Sequence, residues 1–270
     1  MNPASATKPG KVSFIGAGPG AADLITVRGL ERIRSADRII FAGSLVNKAI
    51  FEGCRAPIHD SSSMHLEEIT SLMIETCSQG GNVARVHTGD PALYGAIKEQ
   101  IVRLEAAGVG FEIVPGVTSA FGAAAALGAE LTLPEVTQSV IFTRRGGRTP
   151  VPVSESLDKL AVHGATMMIF LSASMIEEVV SELLEGAYSL ETPVSVVARA
   201  TWPDEQIVRG TLGDIATKVI ASGIRKTALI CVGDVFGVDG FKSDSKLYNR
   251  EFSHGLRDGD NHRRPSGTRR

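Results

Sequence analysis

The sequence is poor in the features that hold small exported or metal-bound proteins together. It contains only three cysteines, Cys54, Cys77 and Cys231, and none of them forms a CxxC pair. This spacing argues against a disulfide framework and a structural zinc site, and it is typical of a reducing cytoplasm. No apolar run approaches the ~18 residues that a membrane span requires, and residues 1–10 lack the apolar core of a signal peptide. We therefore expect a cytoplasmic protein without a membrane partner.

The sequence also lacks a basic body. The formal net charge is −2, but residues 241–270 carry eight Lys and Arg against four acids, so residues 1–240 have a net charge of −6. A protein that binds nucleic acid on its folded surface should carry a basic patch there. We therefore expect no nucleic-acid partner, and we interpret the last part of the basic tail as disordered.

Hydrophobic residues make up 43% of the 270 residues, enough for one large α/β domain or two intimate ones. Short β-rich runs alternate with helical patterns, which predicts largely parallel sheets covered by helices on both faces. Residues 129–137 contain one proline and no clear period, so we place a domain junction there. The predicted organisation is a flexible N-terminus at 1–10, an N-terminal α/β domain at 11–128, the junction at 129–137, a C-terminal α/β domain at 138–240 and the basic tail at 241–270.

The first glycine turn, Gly16-Ala17-Gly18-Pro19-Gly20, invites a dinucleotide-binding interpretation. Its glycines have the wrong spacing for GxGxxG, and Pro19 removes an N–H where a pyrophosphate needs donors. The second predicted strand ends without the acid that holds the ribose in nicotinamide sites. The motifs GxxxxGK[ST], HExxH and GxSxG are absent. A dinucleotide-binding oxidoreductase and a tight turn without a ligand remain as alternatives.

A sharper signal is the loop at residues 87–95, His-Thr-Gly-Asp-Pro-Ala-Leu-Tyr-Gly. Gly89 allows the backbone to approach a ligand, and Pro91 restricts the chain after Asp90. Asp90 could contact a ligand or cap the following helix. Like the first glycine turn and the loop at 115–119, this loop follows a predicted strand, and open parallel sheets bind ligands at the carboxyl ends of their strands. We therefore expect the three loops to cluster at one edge of the first domain.

A local cationic loop, Arg144-Arg145-Gly146-Gly147-Arg148, follows a strand of the second predicted domain. Arginine pairs with carboxylates through two parallel hydrogen bonds. The loop is equally consistent with an anion site and with an exposed charged surface.

Four stretches occur in order: GAGPGAADLITVRGL, HTGDPALYGAIKEQ, VPGVTSAFGAAAALG and TALICVG. Together they resemble the tetrapyrrole methylase family over about residues 11–237. The resemblance implies an S-adenosylmethionine-dependent methyltransferase of two α/β domains, each a mostly parallel sheet flanked by helices, with the active site in the cleft between them. TGDPALYGAIKEQ, TRRGGRTPVP and the IFLS strand end are similar to the branch that methylates C11 of precorrin-4, giving precorrin-5, in cobalamin biosynthesis. The resemblance to the family also implies a precorrin-type tetrapyrrole substrate, a homodimer and no metal.

The resemblance also implies which residues contact the cofactor. They are Pro19, Thr88, Gly89, Asp90, Leu93, Thr118, Ser119, Leu171, Ala200 and Thr227. Ala21 and Ala22 replace the acid-proline pair that many relatives have after the glycine turn, so we assign no contact there.

A substrate rich in acetate and propionate groups would be repelled by an acidic body unless arginines face it. The candidate substrate-binding residues are Arg144, Arg145, Arg148 and Arg199. The general base is unassigned, and its candidates are Asp90, Tyr94 and Glu99. The alternatives within the fold are methylation of cobalt-precorrin-4 or of another corrin or porphyrinoid position.

Overall fold

The computed structural model describes residues 9–237, 250–253 and 255–257. Most of the predicted flexible N-terminus and of the basic tail lie outside the described residues. The chain divides into two compact units. The first comprises the residues up to Leu127, Val197–Ile207 and Ile224–Leu229, and the second comprises Gly128–Val196, Val208–Gly223 and the residues from Ile230 onward.

The first unit contains a five-stranded sheet in the order β3-β2-β4-β1-β5. Its strands are β1 (Lys11–Gly16), β2 (Arg38–Phe41), β3 (Ile58–Asp60), β4 (Val83–His87) and β5 (Gly110–Val114). All four neighbouring pairs run parallel. The sequence predicted four of these strands, at Lys11–Ile15, Arg38–Phe41, Asn82–Val86 and Phe111–Val114. It did not predict β3, which has only three residues and no buried position.

Helices α1 (Val27–Arg34), α2 (Leu66–Ser78), α3 (Lys98–Ala106) and α4 (Ser119–Leu127) belong to the same unit. Every residue of β4 is buried, as expected for a central parallel strand that helices cover on both faces. Alternate residues of β4 enter different apolar clusters: Ala84 and Val86 pack with Ile15 and Ile33, and Val83 packs with Phe14 and other residues. The strands are therefore held from both sides, which fixes where the loops at their carboxyl ends begin.

The second sheet has the order β6-β7-β10-β8-β9. Its strands are β6 (Val140–Arg144), β7 (Thr166–Phe170), β8 (Pro193–Ala198), β9 (Gln206–Thr211) and β10 (Ala228–Val232), and its helices are α5 (Leu157–Ala161), α6 (Ile176–Leu184) and α7 (Ile215–Ser222). Strands β6 and β7 are parallel, whereas β7 and β10 are antiparallel.

The reversed direction of β10 has a topological cause. A strand–helix–strand crossover joins parallel strands, whereas a short connection without a helix joins antiparallel strands. No helix separates β8 from β9 in the described chain, so β9 runs opposite to β8. The crossover from β9 through α7 then gives β10 the same direction as β9. No helix of the described residues is long and apolar enough to span a membrane.

Candidate active site

The loops after β1 and β4 are joined through their glycines. The amide of Gly89 donates to the carbonyl of Gly18 at 2.8 Å, and the amide of Gly18 donates to the carbonyl of Gly89 at 3.3 Å. Both residues have positive φ, 81° for Gly18 and 61° for Gly89, a conformation that glycine adopts without steric cost.

The loop after β5 contacts the other two loops at equally short range. A Cβ on Gly116 would lie 2.2 Å from the carbonyl oxygen of Gly89 and 2.6 Å from the Cα of Gly16. No side chain fits at Gly116 while the three backbones keep these positions. The predicted clustering of the three loops at one edge of the sheet is therefore confirmed.

The carboxylate of Asp90 binds two of these loops together. Its Oδ1 accepts a hydrogen bond from the Ala92 amide at 2.8 Å, and its Oδ2 accepts one from the Gly116 amide at 2.9 Å. Helix α3 begins at Lys98 with Ile97 as its N-cap, so the hypothesis that Asp90 caps this helix is wrong. Asp90 instead fixes the loop after β4 and the loop after β5 in one arrangement.

Backbone strain is concentrated at the predicted site residues. The residues other than glycine with positive φ in the described chain are Tyr94, Ala96, Glu135, Leu171, Arg199, Thr201 and Thr227. Four of them, Tyr94, Leu171, Arg199 and Thr227, belong to the predicted site. Such residues cost free energy and collect at binding and catalytic sites, where the surrounding structure holds them.

A buried polar cluster supports the strained segment after Asp90. The Arg85 guanidinium donates through Nε to Oε1 of Gln100 at 3.0 Å and through Nη1 to the Ser61 hydroxyl at 3.0 Å. Gln100 in turn donates through Nε2 to the carbonyl of Ala96 at 2.9 Å. Burial lowers the pKa of Arg85 to about 10, and among the described residues no carboxylate forms an ion pair with it. The side chain of Gln100 thus connects the buried Arg85 to the strained loop.

His87 is buried at the end of β4, immediately before Thr88. Burial, with a smaller contribution from the charge of Arg85, lowers the pKa of His87 to about 3. Its Nε2 has no hydrogen-bond partner among the described residues. The imidazole is therefore neutral near pH 7.

A turn at residues 199–202 packs on the first glycine loop. The Ala21 amide donates to Oγ1 of Thr201 at 2.9 Å, and the Trp202 indole donates through Nε1 to the carbonyl of Pro19 at 3.1 Å. The amide of Arg199 donates to the carbonyl of Thr227 at 2.8 Å. Ala200 lies in this turn, and Thr227 is hydrogen-bonded to it. Both residues therefore belong to the same unit as the three glycine loops.

Sequence reasoning did not assign Thr201 and Trp202 to the site. Trp202 is the single tryptophan of the chain, and its position in Thr-Trp-Pro-Asp was compatible with simple packing. Its rarity was the one signal that singled it out.

Thr118 and Ser119 lie where α4 begins. Thr118 is buried, its carbonyl accepts from the amides of Phe121 and Gly122 at 3.1 Å, and Ser119 is the first residue of the helix. Gly122 adjoins the first loop, because a Cβ there would lie 2.9 Å from Cβ of Pro19. The start of α4 is thus packed against the glycine loops.

The predicted arginines of the second unit differ in their environments. Arg145 forms an ion pair with Glu182 at 2.7 Å. The guanidinium of Arg144 donates to the carbonyls of Thr149 at 3.0 Å and Pro150 at 2.9 Å, so it shapes its own loop. Arg148 is exposed.

Leu171, the remaining predicted cofactor contact, is 68% exposed at the end of β7. Of the candidates for a general base, Tyr94 is 44% exposed and Glu99 is an exposed residue in the first turn of α3. Asp90 already accepts two backbone hydrogen bonds, which makes it better suited to positioning than to proton transfer.

The first unit gathers hydroxyl and carboxylate side chains where the three glycine loops meet. They are the hydroxyl residues Thr88 and Ser119, the buried Thr118, and the Asp90 carboxylate, whose oxygens accept hydrogen bonds from the amides of Ala92 and Gly116. Within the described ranges, no three His, Cys, Asp or Glu residues lie where they could hold a metal ion. These groups fit a cofactor that carries hydroxyl, amino and carboxylate groups, such as S-adenosylmethionine.

Comparison with known proteins gives consistent matches. The sequence profile of the Tetrapyrrole (Corrin/Porphyrin) Methylases matches residues 11–216. The chain is 55% identical over 249 residues to the cobalt-precorrin-4 C(11)-methyltransferase of Methanocaldococcus jannaschii, covering 92% of this chain and 96% of that one. It is 50% identical over 250 residues to the precorrin-4 C(11)-methyltransferase of Pseudomonas aeruginosa, covering 92% and 99%.

Among solved structures, the chain is similar to a cobalt precorrin-4 methyltransferase described as a cobalamin biosynthetic enzyme. The TM-score is 0.83 at 47% identity, and the match covers 88% of this chain and 99% of that one. A uroporphyrin-III-C-methyltransferase from Thermus thermophilus matches with a TM-score of 0.70 at 29% identity, covering 87% and 98%.

Proposed function

Because this chain belongs to the tetrapyrrole (corrin/porphyrin) methylase family, we propose that it transfers the methyl group of S-adenosylmethionine to C11 of precorrin-4, giving precorrin-5. The observation that carries this proposal is that relatives at 50–55% identity, matched over nearly their whole length, are C(11)-methyltransferases of precorrin-4 with or without cobalt. The two-domain α/β fold predicted from the sequence is the fold of these methyltransferases.

When bound, S-adenosylmethionine supplies a sulfonium methyl group that is already a strong electrophile. The protein therefore has to align this methyl group with an electron-rich ring carbon and exclude water, and such alignment is worth about 7–11 kcal/mol. The close-packed loops after β1, β4 and β5 suit this task because Asp90 and the paired glycines hold them in one geometry.

The residues of the first unit that would hold the cofactor are Pro19, Thr88, Gly89, Asp90, Leu93, Thr118, Ser119, Ala200 and Thr227. They are supported by their common position in the glycine loops, at the start of α4 and in the turn that packs against the first loop. Leu171 of the second unit is proposed as a further contact, supported by its exposure and its positive φ of 55°.

The carboxylates of the macrocycle would be bound by Arg144, Arg145, Arg148 and Arg199. Arg148 offers the cleanest test, because Arg145 is already paired with Glu182 and Arg144 shapes its own loop. We expect Arg148→Ala to raise the KM for the tetrapyrrole at low ionic strength and to matter less at high salt, since screening weakens exposed charge pairs. Arg225→Ala, at another exposed position, is the control. An unchanged KM for Arg148→Ala at low salt would contradict a substrate role for this residue.

Relatives of this chain carry names with and without cobalt, so cobalt-precorrin-4 is the second candidate substrate. The protein would act as a cytoplasmic homodimer. Free Cys54, Cys77 and Cys231 support a reducing compartment. Light scattering coupled to gel filtration tests the dimer, and a monomeric mass at micromolar concentration would exclude it.

The decisive experiment is to incubate the protein with methyl-¹³C-labelled S-adenosylmethionine and either precorrin-4 or cobalt-precorrin-4. We expect carbon NMR to show that the labelled methyl group is bonded to C11. A labelled methyl group on another ring carbon would contradict the proposed position. A thermal-shift comparison separates the oxidoreductase alternative, because a ligand stabilises only the fold that binds it. Stabilisation by S-adenosylhomocysteine and not by NAD is expected, and the reverse would refute the methyltransferase assignment.

A further inference from the structure

Trp202 contacts two parts of the candidate active site at once. Its Nε1 donates to the carbonyl of Pro19, and a Cβ placed on Gly20 would lie 2.2 Å from the indole Cδ1, so the ring lies directly on the first glycine loop. The guanidinium carbon of Arg199 lies 4.4 Å from the centre of the same indole. One side chain thus contacts a proposed cofactor loop and a proposed substrate arginine.

The turn that carries Trp202 is held rigidly. The amide of Trp202 donates to the carbonyl of Arg199 at 2.9 Å, and the amide of Thr201 donates to Oε2 of Glu205 at 2.6 Å. Nε of Arg199 forms an ion pair with Asp204 at 2.6 Å. Arg199 and Thr201 have φ of 53° and 67°, so the turn holds two residues in a costly conformation.

We propose that Trp202 is a positioning residue that sets the first glycine loop and the Arg199 guanidinium at a fixed separation. The inference deepens the proposed function and rests on it. The Nε1–H fixes the Pro19 carbonyl, while the ring face holds the guanidinium through a cation–π contact. The two contacts use different parts of the side chain, so they can be removed separately.

Trp202→Phe removes the N–H donor and keeps an aromatic ring, whereas Trp202→Leu removes both. For Trp202→Phe we expect calorimetry to show S-adenosylhomocysteine binding weakened by about 2- to 12-fold, the equivalent of one hydrogen bond. Its KM for the tetrapyrrole should stay within twofold of the wild type. For Trp202→Leu we expect both the weaker binding and a raised tetrapyrrole KM, because Arg199 loses its support. Phe142→Leu, a change of an aromatic side chain in β6, is the control and should move neither quantity.

A merely structural role for Trp202 would lower thermal stability and the active fraction without separating the two variants. Wild-type binding of S-adenosylhomocysteine by Trp202→Phe, or an unchanged tetrapyrrole KM in Trp202→Leu, would overturn the inference while leaving the proposed function intact. If the wild-type protein binds no S-adenosylhomocysteine, the proposed function fails and the inference fails with it.

The wild-type chain offers a test that needs no variant, because Trp202 is its single tryptophan. Titration with S-adenosylhomocysteine should change the tryptophan emission and saturate with the dissociation constant found by calorimetry. NAD should leave the emission unchanged after correction for its absorbance. Emission that is constant at saturating S-adenosylhomocysteine would contradict the proposed role of Trp202 in cofactor binding.

Discussion

Replacing Asp90 with asparagine tests whether one carboxylate holds the candidate active site together. In the wild-type protein its two oxygens accept hydrogen bonds from the amides of Ala92 and Gly116. Asparagine has nearly the same shape but only one acceptor oxygen. Its NH₂ group would face one of the two backbone donors, and two donors cannot bond to each other.

The expected magnitude follows from the hydrogen bond that is lost. A hydrogen bond to a charged group contributes about 1.5–3 kcal/mol, and the lower part of this range applies because Asp90 is only half-buried. A loss of about 1.5–2 kcal/mol corresponds to roughly 10- to 30-fold in an equilibrium constant. The Gly116 bond joins two loops proposed to contact the cofactor, and the Ala92 bond shapes one of them. We therefore expect the loss of either bond to appear mainly in cofactor binding.

The assay is calorimetric titration of S-adenosylhomocysteine into the wild type, Asp90→Asn and Glu105→Gln. Glu105 is exposed near the end of α3, so its substitution removes the same charge without touching the loops. We expect about 10- to 30-fold weaker binding for Asp90→Asn and no change for Glu105→Gln. Binding by Asp90→Asn within twofold of the wild type would refute the conclusion that this carboxylate fixes the loops.

Three further predictions concern the surroundings of Asp90. Gly116→Ala should abolish S-adenosylhomocysteine binding because its Cβ would lie 2.2 Å from a carbonyl oxygen, whereas Gly110→Ala, which meets no atom within 4 Å, should bind normally in the same calorimetric assay. His87 favours its neutral form in the fold, with a pKa lowered from 6.5 to about 3, so its contribution to stability is complete above pH 6.5 and is lost as the pH falls toward 3. Denaturant unfolding should therefore show a smaller loss of stability over this window for His87→Leu, and an equal loss would contradict the assignment. Gln100→Leu should lower the free energy of unfolding by about 1–3 kcal/mol, because it leaves the buried Arg85 guanidinium without one acceptor, and an unchanged urea midpoint would contradict this.

Local pattern was sufficient to predict most of the strands and helices. Alternation of buried strands with helical periods indicated parallel sheets, and glycine at the end of β1 predicted a tight turn there. The pattern failed at β3, which is too short to show a period, and for the direction of β10, which depends on the connection between β8 and β9 rather than on β10 itself. Strand direction is a property of the whole chain path.

The motifs were also sufficient to identify the family and the reaction that its members catalyse, because close backbone approach restricts the residue types that fit. At Gly16 and Gly116 a side chain would collide with a neighbouring backbone, and Gly89 has a positive φ that glycine adopts without steric cost. Because such positions favour glycine, they can be recognised in the amino-acid sequence.

Only the tertiary structure decided which partners the polar side chains have. Asp90 bonds to an amide 26 residues away, and the Trp202 indole bonds to a carbonyl 183 residues away. The buried Arg85 supports a strained loop through the side chain of Gln100. A hydrogen bond depends on distance and direction between atoms, and for residues far apart in the chain these are set by the packing of entire sheets and helices. The amino-acid sequence alone thus determined the elements, the close-packed glycine loops and the family, whereas folding in three dimensions determined which side chains hold those loops in place.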